Sequence, residues 1–311
     1  MDLACHFERV SKRFGGRFAV YDLDLRVPRA SVYGLLGPNG AGKTTSIRML
    51  MTILRPDSGT IRIFGEPSSP ALKDRIGYLP EERGLYRSMR VLDNLVFFGS
   101  IHGLTPADAK RRAGEWLDRL NMGRYASHRL EELSKGNQQK IQFIATVLHA
   151  PDLLVLDEPF SGLDPVNQEQ MRAIILDLAK RGTTLILSTH LMDEVERLCT
   201  HLTLMNEGRA LLQGTLGEVR RRFGGDVVQI DFRGDPSFLE NLPGVVATTR
   251  IGNTLEIRLG EGTDPSQILA QIAPRLAIHR FEVQAASVHG IFVQLVQGAT
   301  KPEPAPVAVA S

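Results

Sequence analysis

Cysteine is scarce: Cys5 and Cys199 are the only two in 311 residues. Two thiols cannot build a disulfide framework, and such sparing use fits a reducing compartment. Long apolar runs are missing as well. A membrane-spanning helix needs about 20 mostly apolar residues, whereas the longest candidates, 141–148 and 153–156, are short and bounded by polar side chains. The first ten residues carry Asp2, His6 and Glu8 where a signal peptide needs an apolar stretch, so none is expected. Any membrane role is then that of a peripheral partner. Nor does one sign of charge dominate. Against 37 basic side chains stand 35 acidic ones, a net charge of +2, and no nucleic acid is expected as a partner. What is present is ordinary for a globular protein: 42% hydrophobic and 23% charged residues, which exclude wholesale disorder and a fibrous fold. The length suggests about two domains, each large enough to bury its own core.

Periodicity divides the chain into a large α/β part, a small α/β part and a tail. Val32-Tyr33-Gly34-Leu35-Leu36 reads as a buried strand ending at a glycine-rich turn, and Ile47, Leu50, Met51 and Leu54 then follow at helical spacing. Thr105-Pro106 opens another helix, with Ala109, Ala113, Trp116, Leu117 and Leu120 on one face. Ser134 can cap a third, whose apolar stripe is Ile141, Ile144, Ala145 and Leu148. The runs 153–156 and 184–187 read as buried strands between helices, which implies a mostly parallel sheet covered on both faces. After about Gly214 the texture changes. Val228, Ile230 and Phe232 alternate as in a half-buried strand, a short helical stretch spans 236–242, and a strand follows at 245–251. A Gly252-Asn253 hairpin signal, alternating Leu255, Ile257 and Leu259, a helix at 265–272 and a strand at 278–283 complete a β-α-β-β-α-β, ferredoxin-like order. From Ala299 the Pro-rich tail cannot form a core and is expected to be disordered.

Three short segments carry chemistry. Gly37-Pro38-Asn39-Gly40-Ala41-Gly42-Lys43-Thr44 matches G-x-x-x-x-G-K-[ST], between a predicted strand and a predicted helix. Glycines let the backbone wrap phosphate oxygens, and the helix N-terminus favours anions. Lys43 is placed to reach the β- and γ-phosphates and the Thr44 hydroxyl to ligate Mg²⁺. Leu153-Leu154-Val155-Leu156-Asp157-Glu158 is an apolar strand ending in two carboxylates. Asp157 can hold Mg²⁺, while Glu158, pointing differently, can act as general base on an attacking water. The third segment, Leu133-Ser134-Lys135-Gly136-Asn137, is by spacing alone an N-cap and glycine turn at a helix start.

The order of these segments over about residues 3–215 resembles the nucleotide-binding subunit of ATP-binding cassette (ABC) transporters. Ser161-Gly162-Leu163-Asp164 is similar to that family's D-loop, and His190, after Leu187-Ser188-Thr189, to its switch histidine. The resemblance implies a P-loop NTPase cassette over 1–215: a RecA-like α/β core, an N-terminal β subdomain and a helical subdomain at about 88–150. The small α+β domain occupies 216–298 and the tail 299–311. ATP and Mg²⁺ are the implied cofactors. Phosphate binding falls to Gly37 through Thr45 (Gly37, Pro38, Asn39, Gly40, Ala41, Gly42, Lys43, Thr44 and Thr45). Phe14 sits where the family stacks an aromatic ring on adenine. Thr44, Asp157 and Glu81 are the implied metal ligands, and Glu158, His190 and Lys43 the catalytic groups. In the family two subunits meet head to tail, so Ser134 and Gly136 would act across the interface on the partner's γ-phosphate. One chain would then hold half of each site.

Two departures stand out. The family signature is usually Leu-Ser-Gly-Gly-Gln, and here Lys135 and Asn137 occupy its third and fifth positions. In Gly77-Tyr78-Leu79-Pro80-Glu81, many relatives carry glutamine in place of Glu81. The stretch 77–86 resembles a subgroup of exporters for drugs, sodium or other small molecules, often with a small C-terminal domain. The expected function is the ATPase subunit of an ABC exporter, working as a dimer, a homodimer by expectation, with a separate integral membrane permease. Its place is cytoplasmic, peripheral on the inner face of the cell membrane. The rival readings are a soluble cassette ATPase acting on ribosomes or DNA, and a non-hydrolysing nucleotide-binding regulator. A single phosphate loop and the short interval from Glu81 to Ser134 argue against the first, and an intact Glu158 and His190 against the second.

Overall fold

The computed structural model describes residues 2–82, 84–223, 227–251, 254–260, 263–284 and 287–299. Two long strands open the chain, β1 (Leu3–Phe14) and β2 (Arg17–Pro28), paired antiparallel. Cys5, Phe7 and Val10 of β1 and Leu23, Leu25 and Val27 of β2 turn into the core. Their buried faces do not keep strict alternation, because register shifts interrupt the ladder between Phe7 and Val10, where Arg9 has φ 46°. After β3 (Val32–Leu36) and α1 (Lys43–Leu50), strands β4 (Ser58–Ile63) and β5 (Glu66–Pro67) complete a four-stranded sheet of order β2-β1-β4-β5.

The α/β core is a six-stranded sheet. To β3 it adds β6 (Ile76–Leu79), β7 (Leu153–Asp157), β8 (Thr184–Thr189), β9 (His201–Asn206) and β10 (Arg209–Thr215), in the order β10-β9-β3-β8-β7-β6. The pairs β3–β8, β3–β9, β6–β7 and β7–β8 are parallel. β3, β7 and β8 are buried at every position, as strands covered on both faces must be, which is why they read as unbroken apolar runs. One hydrophobic cluster runs from Phe7 and Leu25 of the first sheet to Tyr33, Val155 and Ile186 of the second.

Between β6 and β7 lie α2 (Val91–Ile101), α3 (Pro106–Arg119) and α4 (Lys135–Val147). Thr105 caps α3 by accepting from the Asp108 N–H, with Pro106 at the first position, as expected. Two expectations shift. α1 stops at Leu50 rather than continuing to Leu54, because Thr52 takes a left-handed φ of 56° and the Ile53 N–H closes back on the Arg48 carbonyl. α4 is buried over its whole length from Gln138 to Val147, not along one stripe. Trp116 is half-buried, edge-on to Phe143 with ring centroids 6.3 Å apart. After β7 come α5 (Pro165–Lys180) and α6 (Met192–Leu198).

The chain divides into two compact units, the second starting at Thr215. It opens with α7 (Leu216–Phe223), the helix of Arg220 and Arg222, where Thr215 and Glu218 cap each other's backbone N–H. Strands β11 (Val227–Arg233), β12 (Val245–Ile251), β13 (Thr254–Leu259) and β14 (Ala277–Gln284) form an antiparallel sheet of order β12-β13-β11-β14. With α8 (Pro265–Ile272) this is the expected β-α-β-β-α-β order, its first helix reduced to a 3₁₀ turn, Ser237–Asn241. Val228, Ile230, Ile257, Ile268 and Ile272 form its core. A last helix, α9 (Val288–Ala299), has no counterpart in the sequence reading and takes in Ala299, which that reading gave to the tail. The Gly252-Asn253 hairpin and residues 300–311 lie outside the described residues. No described helix is long and apolar enough to cross a membrane.

Candidate active site

The loop between β3 and α1 requires its glycines. Gly37 (φ 150°) and Gly42 (φ 102°) have positive φ, and a Cβ on them would lie 2.2 Å from the Met205 carbonyl oxygen and 2.5 Å from that of Ala19. With this tight wrap the Lys43 side chain folds back over the loop, and Nζ donates to the Gly37 carbonyl at 2.6 Å and the Pro38 carbonyl at 3.1 Å. Burial pulls the Lys43 pKa down, and the carboxylates of Glu158, Asp157 and Glu81 oppose that shift. A buried ammonium therefore stands where three carboxylates converge.

Asp157 ends β7 and is 1% exposed. Burial pushes its pKa up, the neighbouring Ser188 and Thr44 hydroxyls favour the ionised form, and Glu81 and Glu158 oppose it. Its Oδ2 is buried without a hydrogen-bond partner among the described residues. An orphaned carboxylate oxygen of this kind is costly. Flanked by the Thr44 hydroxyl and the Glu81 carboxylate, it is a hard oxygen donor set that suits Mg²⁺.

Glu158 follows in a left-handed conformation, φ 50°, which turns its side chain away from that of Asp157. Oε1 accepts from the His190 N–H at 3.0 Å and lies 2.8 Å from His190 Nδ1, while Oε2 accepts from the Thr189 hydroxyl at 3.2 Å. The end of β8 thus holds Glu158, and Glu158 in turn orients the His190 ring. Further away, a buried pair fixes α6 to α5: Arg172 donates to Glu194 through Nε at 2.8 Å and Nη2 at 3.1 Å.

A cavity of about 450 Å³ gathers these groups. Asn39, Gly40, Ala41, Gly42, Lys43, Thr44 and Thr45 line one wall, and Glu81, Asp157, Glu158 and His190 the other. Gly37 and Pro38 stand behind Lys43 as its carbonyl acceptors. Besides Gly37 and Pro38, three further anticipated residues are absent from this lining. Phe14 is half-exposed, with Lys12 Nζ 5.6 Å from its ring centroid. Ser134 caps α4, accepting from the Asn137 N–H at 3.3 Å. Gly136 packs on the D-loop-like turn, where a Cβ would meet the Gly162 carbonyl oxygen at 3.2 Å. Sequence reasoning overlooked Ala19 as a lining residue, and Gln139 and Gln142 beneath the site. Three glutamines interspersed with the apolar positions of this helix were the available signal for the last two, since buried amides need partners.

A phosphate-wrapping loop, a buried lysine and two divergent carboxylates at the end of a parallel strand define a P-loop ATPase cassette. The comparisons agree. The ABC transporter family model matches residues 20–161, and that of the ATP-binding protein DrrA1-3-like C-terminal domain matches residues 214–296. The chain is 41% identical to the uncharacterized ABC transporter ATP-binding protein YhaQ of Bacillus subtilis (strain 168), over 93% of this chain and 97% of that one. It is 36% identical to the daunorubicin/doxorubicin resistance ATP-binding protein DrrA of Streptomyces peucetius, over 84% of this chain and 78% of that one. A solved ATP-binding subunit of an ABC transporter superposes with a TM-score of 0.66 at 29% identity, covering 71% of this chain and 93% of that one. The chain belongs to the family of ABC transporter ATP-binding proteins. It is an ATP-binding subunit that hydrolyses ATP.

Proposed function

We propose that this chain powers export through a separate membrane permease, as one half of an ATP-closed dimer of identical subunits. The observation that carries the reading is the placement of Ser134 and Gly136. They stand at the α4 N-terminus, outside the cavity that holds Lys43, Asp157 and Glu158. A helix N-terminus favours phosphate oxygens, so a second copy supplies the γ-phosphate for this one and receives the same service. Within one copy, the loop amides and Lys43 hold the β- and γ-phosphates. Thr44, Asp157 and Glu81 hold Mg²⁺, which when bound neutralises charge on the β- and γ-phosphates. Phe14 stacks on the adenine. Glu158 accepts a proton from the attacking water, and His190, fixed by Glu158 Oε1, contacts the γ-phosphate.

Residues 1–215 form the ATP-binding domain in this reading, with a helical subdomain at about 88–150, and residues 216–298 a separate module. The permease docks on the helical side of the cassette. There Tyr86 and Phe97 are exposed large apolar side chains, beside a mainly apolar cavity of about 260 Å³ lined by Tyr78, Pro80, Leu85 and Phe98 among others. The subunit is peripheral on the cytoplasmic face of the cell membrane. Export, rather than import, is supported by the likeness to a drug-resistance protein across both domains. Extraction of the native complex in mild detergent, followed by identification of what comes with this chain, tests the reading. An integral membrane protein is the expected companion. Recovery of ribosomes would refute it.

A further inference from the structure

Three glutamines of α4, Gln138, Gln139 and Gln142, are almost fully buried. Gln138 closes the entrance of its own helix, donating to the Leu130 carbonyl at 3.2 Å and the Leu133 carbonyl at 2.8 Å. The other two reach separate loops. Gln139 Nε2 donates to the Pro159 carbonyl at 3.3 Å, one residue beyond Glu158. Gln142 Nε2 donates to the Pro80 carbonyl at 3.2 Å and the Glu82 carbonyl at 3.1 Å. Glu81 is the residue between those two carbonyls.

A side-chain amide that grips the backbone on both sides of one residue fixes how that residue presents its side chain. Gln142 spends both donors on this grip, while its Oε1 stays buried with no partner among the described residues. Packing alone gives no reason for such a group between Ile141 and Phe143, because an apolar residue of the same volume would do away with the unpartnered Oε1. The two carbonyls would in turn lose their donor. The Pro80–Glu82 segment also has a cavity on each side. Glu81 lines the nucleotide cavity, whereas Pro80 and Gln142 line the apolar one.

We propose that Gln142 is a positioning residue for the Mg²⁺ side of the site: its clamp on Pro80 and Glu82 holds the Glu81 carboxylate toward Asp157 and Thr44. The inference rests on the reading of Glu81 as a metal ligand. It also makes α4 the shared mount of two half-sites. Ser134 and Gly136 at its start face the partner's nucleotide, and Gln142 two turns later governs the geometry of its own.

The test is the Mg²⁺ dependence of nucleotide binding by the purified full-length chain, read with trinitrophenyl-ATP. Gln142→Met keeps the volume and removes the donors. It should leave affinity in EDTA within about twofold of native, but raise the Mg²⁺ concentration at half-maximal enhancement roughly three- to tenfold, the loss expected for two hydrogen bonds orienting one ligand. Gln142→Asn, which retains an amide on a shorter stem, should fall between the two, and it serves as the comparison if Gln142→Met does not fold. In a Glu81→Ala background the additional shift from Gln142→Met should vanish. An unmoved midpoint in Gln142→Met and Gln142→Asn, with a moved one in Glu81→Ala, overturns this inference alone. A shift that persists undiminished in Glu81→Ala also overturns it, since Gln142 would then not act through Glu81. An unmoved midpoint in Glu81→Ala itself overturns the metal-ligand reading, and the clamp with it.

Discussion

Replacing Glu158 by glutamine isolates one property of the site, the ability to take a proton. The amide has nearly the shape of the carboxylate, and the left-handed backbone at this position, φ 50°, is no harder for glutamine to adopt than for glutamate. Its oxygen can still accept from the His190 N–H, now at 3.0 Å, and its NH₂ can donate to the Thr189 hydroxyl, now at 3.2 Å. Weakening one charge-assisted contact to His190 should lower folding stability by only about 1 kcal/mol. Loss of a positioned general base costs about 10²- to 10⁴-fold in rate, or about 3–5 kcal/mol of transition-state stabilisation. The catalytic loss therefore exceeds the structural one severalfold. Glu158 also places negative charge near Lys43, and removing it relieves repulsion of the γ-phosphate, so ATP affinity should hold or rise. Phosphate release under single-turnover conditions, beside equilibrium binding of unhydrolysed ATP, reads both quantities. A variant that binds ATP normally and hydrolyses it at the native rate would refute the assignment of Glu158 as base.

Asp157→Asn should stabilise the nucleotide-free protein at neutral pH while abolishing Mg²⁺-dependent turnover, because it removes a buried carboxylate with an unpartnered oxygen. The folded-state pKa of Asp157 is raised above 3.8, so the native form binds more protons than the unfolded one in that window. Native stability therefore falls as pH rises from 3.8 through the raised value, and the asparagine variant should lack this fall in thermal melting across a pH series. His149 has the opposite sense. Its ring lies parallel to that of His102 with centroids 3.9 Å apart, and Nε2 donates to the Ile76 carbonyl at 3.2 Å. Burial, reinforced by His102 and opposed by Asp74, lowers its pKa from 6.5 to about 4. The unfolded chain then binds the extra proton first as pH falls from 6.5 toward 4, and this one group should remove about 3 kcal/mol of stability over that range. His149→Gln should flatten that part of the melting profile, and an unaltered profile would show that His149 does not titrate as described.

The elements that carry the candidate site were legible because they are local. The phosphate loop, the strand ending in Asp157-Glu158 and the residues around Ser134 are contiguous segments whose spacing dictates their geometry. The ferredoxin-like order was equally readable from alternating apolar residues such as Leu255, Ile257 and Leu259, which the structure places in one core. What escaped depends on contacts distant in sequence. Gln142 reaches Pro80 and Glu82 across about sixty positions, and no periodicity announces such a pairing. α4 reads as amphipathic on its aliphatic residues alone, yet its glutamines are buried too, because their amides meet loop carbonyls rather than water. The end of α1 was misread for a related reason. Leu54 keeps helical spacing and packs on the core, but from beyond a left-handed turn at Thr52.

Most directly decisive is a complementation measurement on two inactive variants. Lys43→Ala removes the lysine proposed to hold the phosphates, and Gly136→Asp sets a carboxylate at the α4 N-terminus, where the proposed dimer receives the partner's γ-phosphate. Purified separately, each should be nearly inactive in phosphate release. Mixed under conditions that allow subunit exchange, they should regain a fraction of native turnover, because a mixed dimer contains one site with an intact loop from one copy and an intact signature from the other. Inactivity that persists in the mixture although mixed dimers form, or full activity of Gly136→Asp alone, would contradict a reaction centre shared between two chains.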